Sequence, residues 1–202
     1  MNKIADFGTV QHVSVTILVD NRADLIASST DMVKRYTDKP LMAEHGFSAL
    51  IELHAQGTQT RILWDAGVTP LTLMENMRRM AIDPTTLDKI VISHGHHDHI
   101  AAVAEVLKAM DLSPKPQKWE KDTPIDTLRE AAQGHRVPLV IHPAALRERW
   151  KIQENGNKYG PVPGPPRALW EALGAAIILS EGPYNLGPRC WTTGFVPRLS
   201  FE

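Results

Sequence analysis

One short run constrains this chain more than any other: His94 to His99 reads HGHHDH and holds four of the nine histidines together with Asp98. Just before it, Ile90, Val91 and Ile92 give a short apolar strand signal. Just after it, Ile100, Val103, Val106, Leu107 and Met110 recur at helical spacing. The chain therefore passes from strand to helix across a loop of metal-competent side chains. On extended or loop backbone, His94 and His96 project to one side and His97 to the other. Asp98 and His99 follow where the helix begins, so a second pair of donors reaches a neighbouring point. Neutral imidazole nitrogen and carboxylate oxygen suit zinc, and also manganese or iron. The competing reading makes Asp98 a helix N-cap and the histidines a solvated loop; the density of the cluster weighs against it.

The flanking sequence supplies elements to hold that loop. Val13, Val15, Ile17 and Val19 alternate through residues 12–20, a first strand. Residues 49–54 and 60–65 read as two more strands around a glycine-bearing loop, a hairpin signal. Leu71, Met74, Met77 and Met80 mark a helix over residues 70–80. Further on, the expectation is a helix at 125–133, a strand at 137–141, a short helix at 144–151, and a helix at 167–173. Strands at 175–179 and 190–193 end the series. The proline-rich stretches 111–124 and 156–166 read as loops. Strands interleaved with helices place the chain in the α/β class.

Composition excludes several partners. The 22 Lys and Arg residues balance 23 Asp and Glu across 202 residues, so no global field favours nucleic acid or an acidic membrane surface. Cys190 is the one cysteine, which rules out an intrachain disulfide and suits a reducing compartment. The amino-terminal stretch alternates instead of forming an apolar core, unlike a signal peptide. No apolar run approaches the roughly 20 residues that span a bilayer. A cytoplasmic protein acting on a small molecule is the expectation.

Other positions are candidates for the site or its surroundings. Asp20 and Asn21 end the first strand, where a sheet protein commonly places its site and where a simple Asx turn is an equal reading. His45 stands beside Gly46 at a strand entrance and is a candidate to face a pocket. His142 ends the 137–141 strand and is read as pocket-lining in preference to metal-binding, whereas His135 in a polar turn is read as structural. Arg198 is either an anchor for a phosphate or carboxylate or a surface residue.

The segment His94-Gly95-His96-His97-Asp98-His99 matches the His-x-His-x-Asp-His hallmark and resembles the metallo-β-lactamase fold superfamily. Together with "LVDNR", "AEHGFSALIE", "ILWDAG", "ISHGHHDHI", "IHPAAL" and "TTGFVPR", in that order along nearly the whole chain, it is similar to the dihydropterin ribofuranosylaminobenzene phosphate synthase-like branch. The resemblance implies an αββα sandwich, of which residues 1–202 would be the N-terminal portion of one domain. It implies two metal ions: His94 and His96 bind the first, Asp98 and His99 the second, and Asp98 also orients the nucleophile. It also implies that Asp65, in Leu63-Trp64-Asp65-Ala66-Gly67, supports the metal loop from beneath. Hydrolysis of a phosphoester or pterin-like substrate through metal-activated water is the activity implied.

Donors are nevertheless short. A catalytic zinc usually keeps three protein ligands, and after His99 the only histidines and cysteine are His135, His142 and Cys190, none in a matching motif. The expectation is a truncated homologue or a portion of a longer protein, with an uncovered sheet face that invites self-association. The alternative to an enzyme is a non-catalytic fragment or metal-binding subunit that needs a partner to complete its site.

Overall fold

Parallel strands covered by helices read as largely apolar runs, and three such runs form one half of the main sheet, the last of them at its edge. They are β4 (Lys89–Ile92, KIVI), β5 (Val137–Ile141, VPLVI) and β8 (Ala175–Leu179, AAIIL). The structure is a computed structural model and describes residues 10–197 apart from 25, 27, 37–38, 56 and 114–117. Three alternating strands precede them: β1 (His12–Val19), β2 (Ser48–Ala55) and β3 (Thr58–Trp64). The six build one sheet in the order β1-β2-β3-β4-β5-β8. β1, β2 and β3 pair antiparallel, with Gly57 at φ 77° in the β2–β3 turn. From β3 onward every pairing is parallel.

Helices fill the connections. α1 (Pro70–Arg79) starts with proline in its first turn, where a missing N–H costs nothing, and Thr69 caps it by accepting from the Thr72 amide. Then come α2 (His97–Ile100), α3 (Val103–Ala109), α4 (Ile125–Gln133) and α5 (Arg167–Ala172). Side chains alternate across a strand. Leu50, Leu63, Ile90, Leu139 and Ile141 thus share a core with Leu73 and Met77 of α1, Val103, Val106 and Leu107 of α3, and Trp170 of α5. Each such side chain contributes roughly 1.5–3 kcal/mol on burial.

The opposite face is thinly covered. Leu53, Ile62, Val140 and Leu186 form a second, smaller cluster with Ile51, Val91 and Ile178. Its cover is a two-stranded sheet, β9 (Asn185–Gly187) with β10 (Cys190–Trp191). On β1 the same face leaves Val13, Val15 and Ile17 44–56% exposed. Among the described residues, this small sheet alone stands where the expected sandwich has its second layer.

Three local expectations fail. Residues 144–151 are not a helix: a single 3-10 turn (Pro143–Leu146) leads into β6 (Arg149–Ile152). Its partner β7 (Lys158–Val162) lies within the stretch read as a loop. Trp150, Ile152 and Tyr159 fit a pleated ribbon better than a helix, and the pairing across residues 153–157 is invisible to helical periodicity. The last strand is also shorter than the expected 190–193.

Because β3, β4 and β5 run parallel in register, with Trp64 opposite Val91 and Ile92 opposite Ile141, their carboxyl ends share one sheet edge. Asp65, the histidine loop and His142 follow those three ends directly, and such an edge is where open α/β sheets bind ligands.

Candidate metal centre

Asp65 lies at the base of the loop. It has a positive φ of 57° and is 1% exposed, and its amide donates to the Val91 carbonyl at 2.9 Å. Its carbonyl accepts from the Ser48 hydroxyl at 2.8 Å. One carboxylate oxygen accepts from the Ser93 amide at 2.8 Å. The other accepts from the Ser93 hydroxyl at 2.6 Å and from His99 Nδ1 at 2.7 Å.

These bonds fix two imidazole tautomers. His99 Nδ1 must carry the proton it gives to a carboxylate, which leaves Nε2 with its lone pair. The Ser93 hydroxyl spends its single proton on Asp65, so it accepts from His94 Nδ1 at 2.9 Å. His94 Nε2 is then also a lone-pair atom. Burial pushes His94 below the ordinary imidazole range, and repulsion from His99 and then His96 adds to that, outweighing Asp65 and Asp98. A neutral imidazole is the form that binds metal.

The donors gather as two pairs. His94 Nε2 stands 3.0 Å from His96 Nδ1, and His99 Nε2 stands 3.5 Å from Asp98 Oδ2. Two nitrogen or oxygen ligands on a tetrahedral zinc, with bonds of roughly 2.0–2.1 Å, lie about 3.3 Å apart. Each pair therefore fits one edge of an ion's coordination shell. The His94 and His99 rings are 4.1 Å apart between centroids, so the pairs are neighbours. His97 is exposed and joins neither pair. Among the described residues no three His, Cys, Asp or Glu side chains form one ready metal-holding group. The donor set fits metal as two half-sites.

Asp98 is held from a second direction. His45 Nε2 lies 3.2 Å from Asp98 Oδ2, and His45 Nδ1 lies 3.1 Å from Asn21 Oδ1. Gly46, at φ 126°, lets the chain press against the loop; a Cβ there would collide with the Asp98 carbonyl oxygen. The Phe47 amide donates to that carbonyl at 3.3 Å. Asp20 accepts from the amide of the next residue, Asn21, at 2.7 Å.

On the other flank, Arg149 donates to the Gly95 carbonyl, between the two histidines of the first pair. A cavity of about 680 Å³ opens here, lined by Trp64, His94, His142, Arg149, Trp191 and Phe195 among others. His142 accepts from the Ala144 amide at 3.1 Å and lies in this wall, 6.3 Å from the Phe195 ring. Cys190 also lines the cavity, and burial pushes its thiol up, away from the thiolate a metal takes. Arg198 lies outside the described residues.

Sequence reasoning missed Ser93 and Arg149. The serine directly preceding the first histidine was an available signal; for Arg149 there was none, since the contact spans 54 residues of sequence.

The loop, its aspartate support and the mixed sheet define a class, and comparison with known families agrees. The model of the metallo-beta-lactamase superfamily matches residues 42–174, and the chain belongs to that superfamily. Among individual relatives, a protein of Methanocaldococcus jannaschii named 7,8-dihydropterin-6-methyl-4-(beta-D-ribofuranosyl)-aminobenzene-5'-phosphate synthase is 24% identical over 85% of this chain and 54% of its own length. The uncharacterized protein MJ0448 of the same organism is 39% identical over 91% of this chain and 54% of its own length. The chain thus spans about half the length of these curated relatives. The crystal structure of the metallo-beta-lactamase fold protein YhfI from Bacillus subtilis aligns with 86% of this chain and 49% of its own, at 16% identity and a TM-score of 0.41. Among the described residues no helix is long and apolar enough to cross a membrane.

Proposed function

We propose that this chain carries the metal loop of a metal-dependent hydrolase that acts, in the cytoplasm, on a phosphoester or pterin-like small molecule. The observation that supports this most is the pairing of donors, His94 with His96 and Asp98 with His99, on one loop beside a cavity. Bound there, divalent ions would supply Lewis acidity, acidifying water toward neutral pH and offsetting negative charge as it develops. Zinc suits these donors, with manganese or iron accepted by the same set.

The chain's own residues do the positioning. His94 and His96 would hold one ion, and Asp98 and His99 the other. Asp65 keeps His99 and, through Ser93, His94 in the tautomers that turn a lone pair outward. Asp98, braced by His45, is the candidate to orient the attacking water. Trp64, Trp191 and Phe195 give the cavity flat apolar walls suited to a planar ring. The relative whose name contains a dihydropterin and a 5'-phosphate supports that substrate class. Balanced charge and the single cysteine support a small-molecule partner and a reducing compartment. The exposed apolar residues of β1 support self-association.

One observation favours a second reading. No three donors form a group among the described residues, as suits a non-catalytic chain or a subunit whose site a partner completes. Metal counting by native mass spectrometry, with phosphodiesterase and lactamase assays, separates the two. Two ions per chain, with turnover abolished by His96→Ala, supports the hydrolase. One ion or none, without turnover, supports the second reading.

A further inference from the structure

We propose that Arg149 is an anion-recognition residue of this cavity and holds the phosphate or carboxylate of an aromatic ligand beside the histidine loop. Arg149 opens β6 and is half-buried. Among the described residues, its guanidinium donates to the neutral Gly95 carbonyl and to no other group. Arg61, Arg79 and Arg167 each pair with a glutamate, but no carboxylate pairs with Arg149 among the described residues. A guanidinium carries five N–H donors in a rigid fork, so one carbonyl leaves most of the fork and all of the charge unmatched. A partly desolvated cation without a counter-ion favours an incoming anion, and the fork geometry suits an oxyanion bound through two oxygens.

The placement is built in. A Cβ at position 95 would collide with the Ala145 carbonyl and come within 2.8 Å of Arg149 Nη2. Only glycine between the two histidines lets the guanidinium lie against the loop. The cavity volume of about 680 Å³ suits a small organic molecule. Its walls offer three aromatic rings, from Trp64, Trp191 and Phe195, and one arginine. A flat ring carrying one oxyanion matches both features.

The inference rests on the proposed function only in taking this cavity as the substrate's, so the test is run without metal. With the full chain in excess chelator, fluorescence of the cavity tryptophans is titrated with phenyl phosphate, benzoate and phenol. The expected result is that at least one of the two anions binds ten-fold or more tighter than phenol. Whichever anion binds tighter identifies the group as phosphate or carboxylate. Arg149→Met is expected to remove that ten-fold advantage and leave phenol within two-fold. Arg149→Lys keeps the charge and stem but loses the fork, and is expected to fall between; it decides the matter if the methionine variant does not fold. The proposal is overturned if the wild-type chain binds no anion, binds anion and phenol alike, or keeps its anion preference in a folded variant. A chain that binds anions yet shows no turnover when loaded with zinc would sink the hydrolase reading and leave this one standing.

Discussion

Asp65→Asn tests how the metal loop is prepared. The substitution is nearly isosteric, so packing around this 1%-exposed side chain is kept while its hydrogen-bonding character changes. If the amide oxygen takes the place that accepts from the Ser93 amide, the NH2 group faces the Ser93 hydroxyl and His99 Nδ1, where an acceptor stood 2.6 and 2.7 Å away. The serine can turn and accept. His99 must then move its proton to Nε2, the nitrogen that faces Asp98. Bonds to a buried carboxylate are worth roughly 1.5–3 kcal/mol each, and the amide recovers part, so the expected net loss is about 2–4 kcal/mol. For a chain of this size that is a melting shift of roughly 4–16 °C. Zinc affinity should fall about 10–100-fold, the usual effect of removing a group that orients a metal-binding histidine. Ser93→Ala is the comparison: it removes the hydroxyl's bonds to Asp65 and from His94, leaves His99 oriented by Asp65, and should cost about 1–3 kcal/mol with a smaller loss of zinc affinity. Urea unfolding and zinc titration against a competing chelator read both quantities. Zinc affinity within three-fold of wild type in a folded Asp65→Asn chain would refute the tautomer argument.

Three further outcomes follow from the packing and the charges. Gly46→Ala combines φ 126° with a Cβ driven into the Asp98 carbonyl, and should lower the urea midpoint by the equivalent of about 1–3 kcal/mol or more. Leu63→Ala, at a fully buried position of β3, should cost about 2–5 kcal/mol in the same assay. Glu44 gives a pH dependence. Burial would raise its pKa, but hydrogen bonds from the Thr69 side chain and amide, from Thr72 and from Val68 together lower it below 4.5. A depressed carboxylate stabilises the fold fully above its unfolded pKa, and that stability is lost as pH falls through the folded value. Stability should therefore drop on acidification below about pH 4.5, and Glu44→Gln should flatten that limb while lowering stability at pH 7, as read by urea midpoints across pH.

Much of the fold was legible because the signals were local. The alternation of Val13, Val15 and Ile17 and the Leu71-Met74-Met77 stripe each report one element's own burial, and β1, β2, β3 and α1 appear within a residue or two of where the pattern puts them. The histidine loop was legible for the same reason, since all four candidate donors lie within His94–His99. The β6–β7 ribbon was not, because its two strands take their conformation from pairing with each other, Lys151 opposite Tyr159 and Ile152 opposite Lys158, and not from a period within either segment.

By itself, then, the sequence determined the α/β class, the strand-to-helix placement of the histidine loop, and the types of donor it offers. Residue chemistry and short-range periodicity carry that information, and both are properties of neighbours in the chain. Tertiary structure alone decided that Asp65 and Ser93 lock the histidine tautomers, that His45 and Asn21 close on Asp98, and that Arg149 stands by the loop. Those contacts join segments at the ends of β1, β2, β3, β4 and β6. The parallel register of β3 and β4 sets Asp65 beside Ser93, and the antiparallel pairing of β1 with β2 sets Asn21 beside His45, neighbours that no local pattern in the chain specifies.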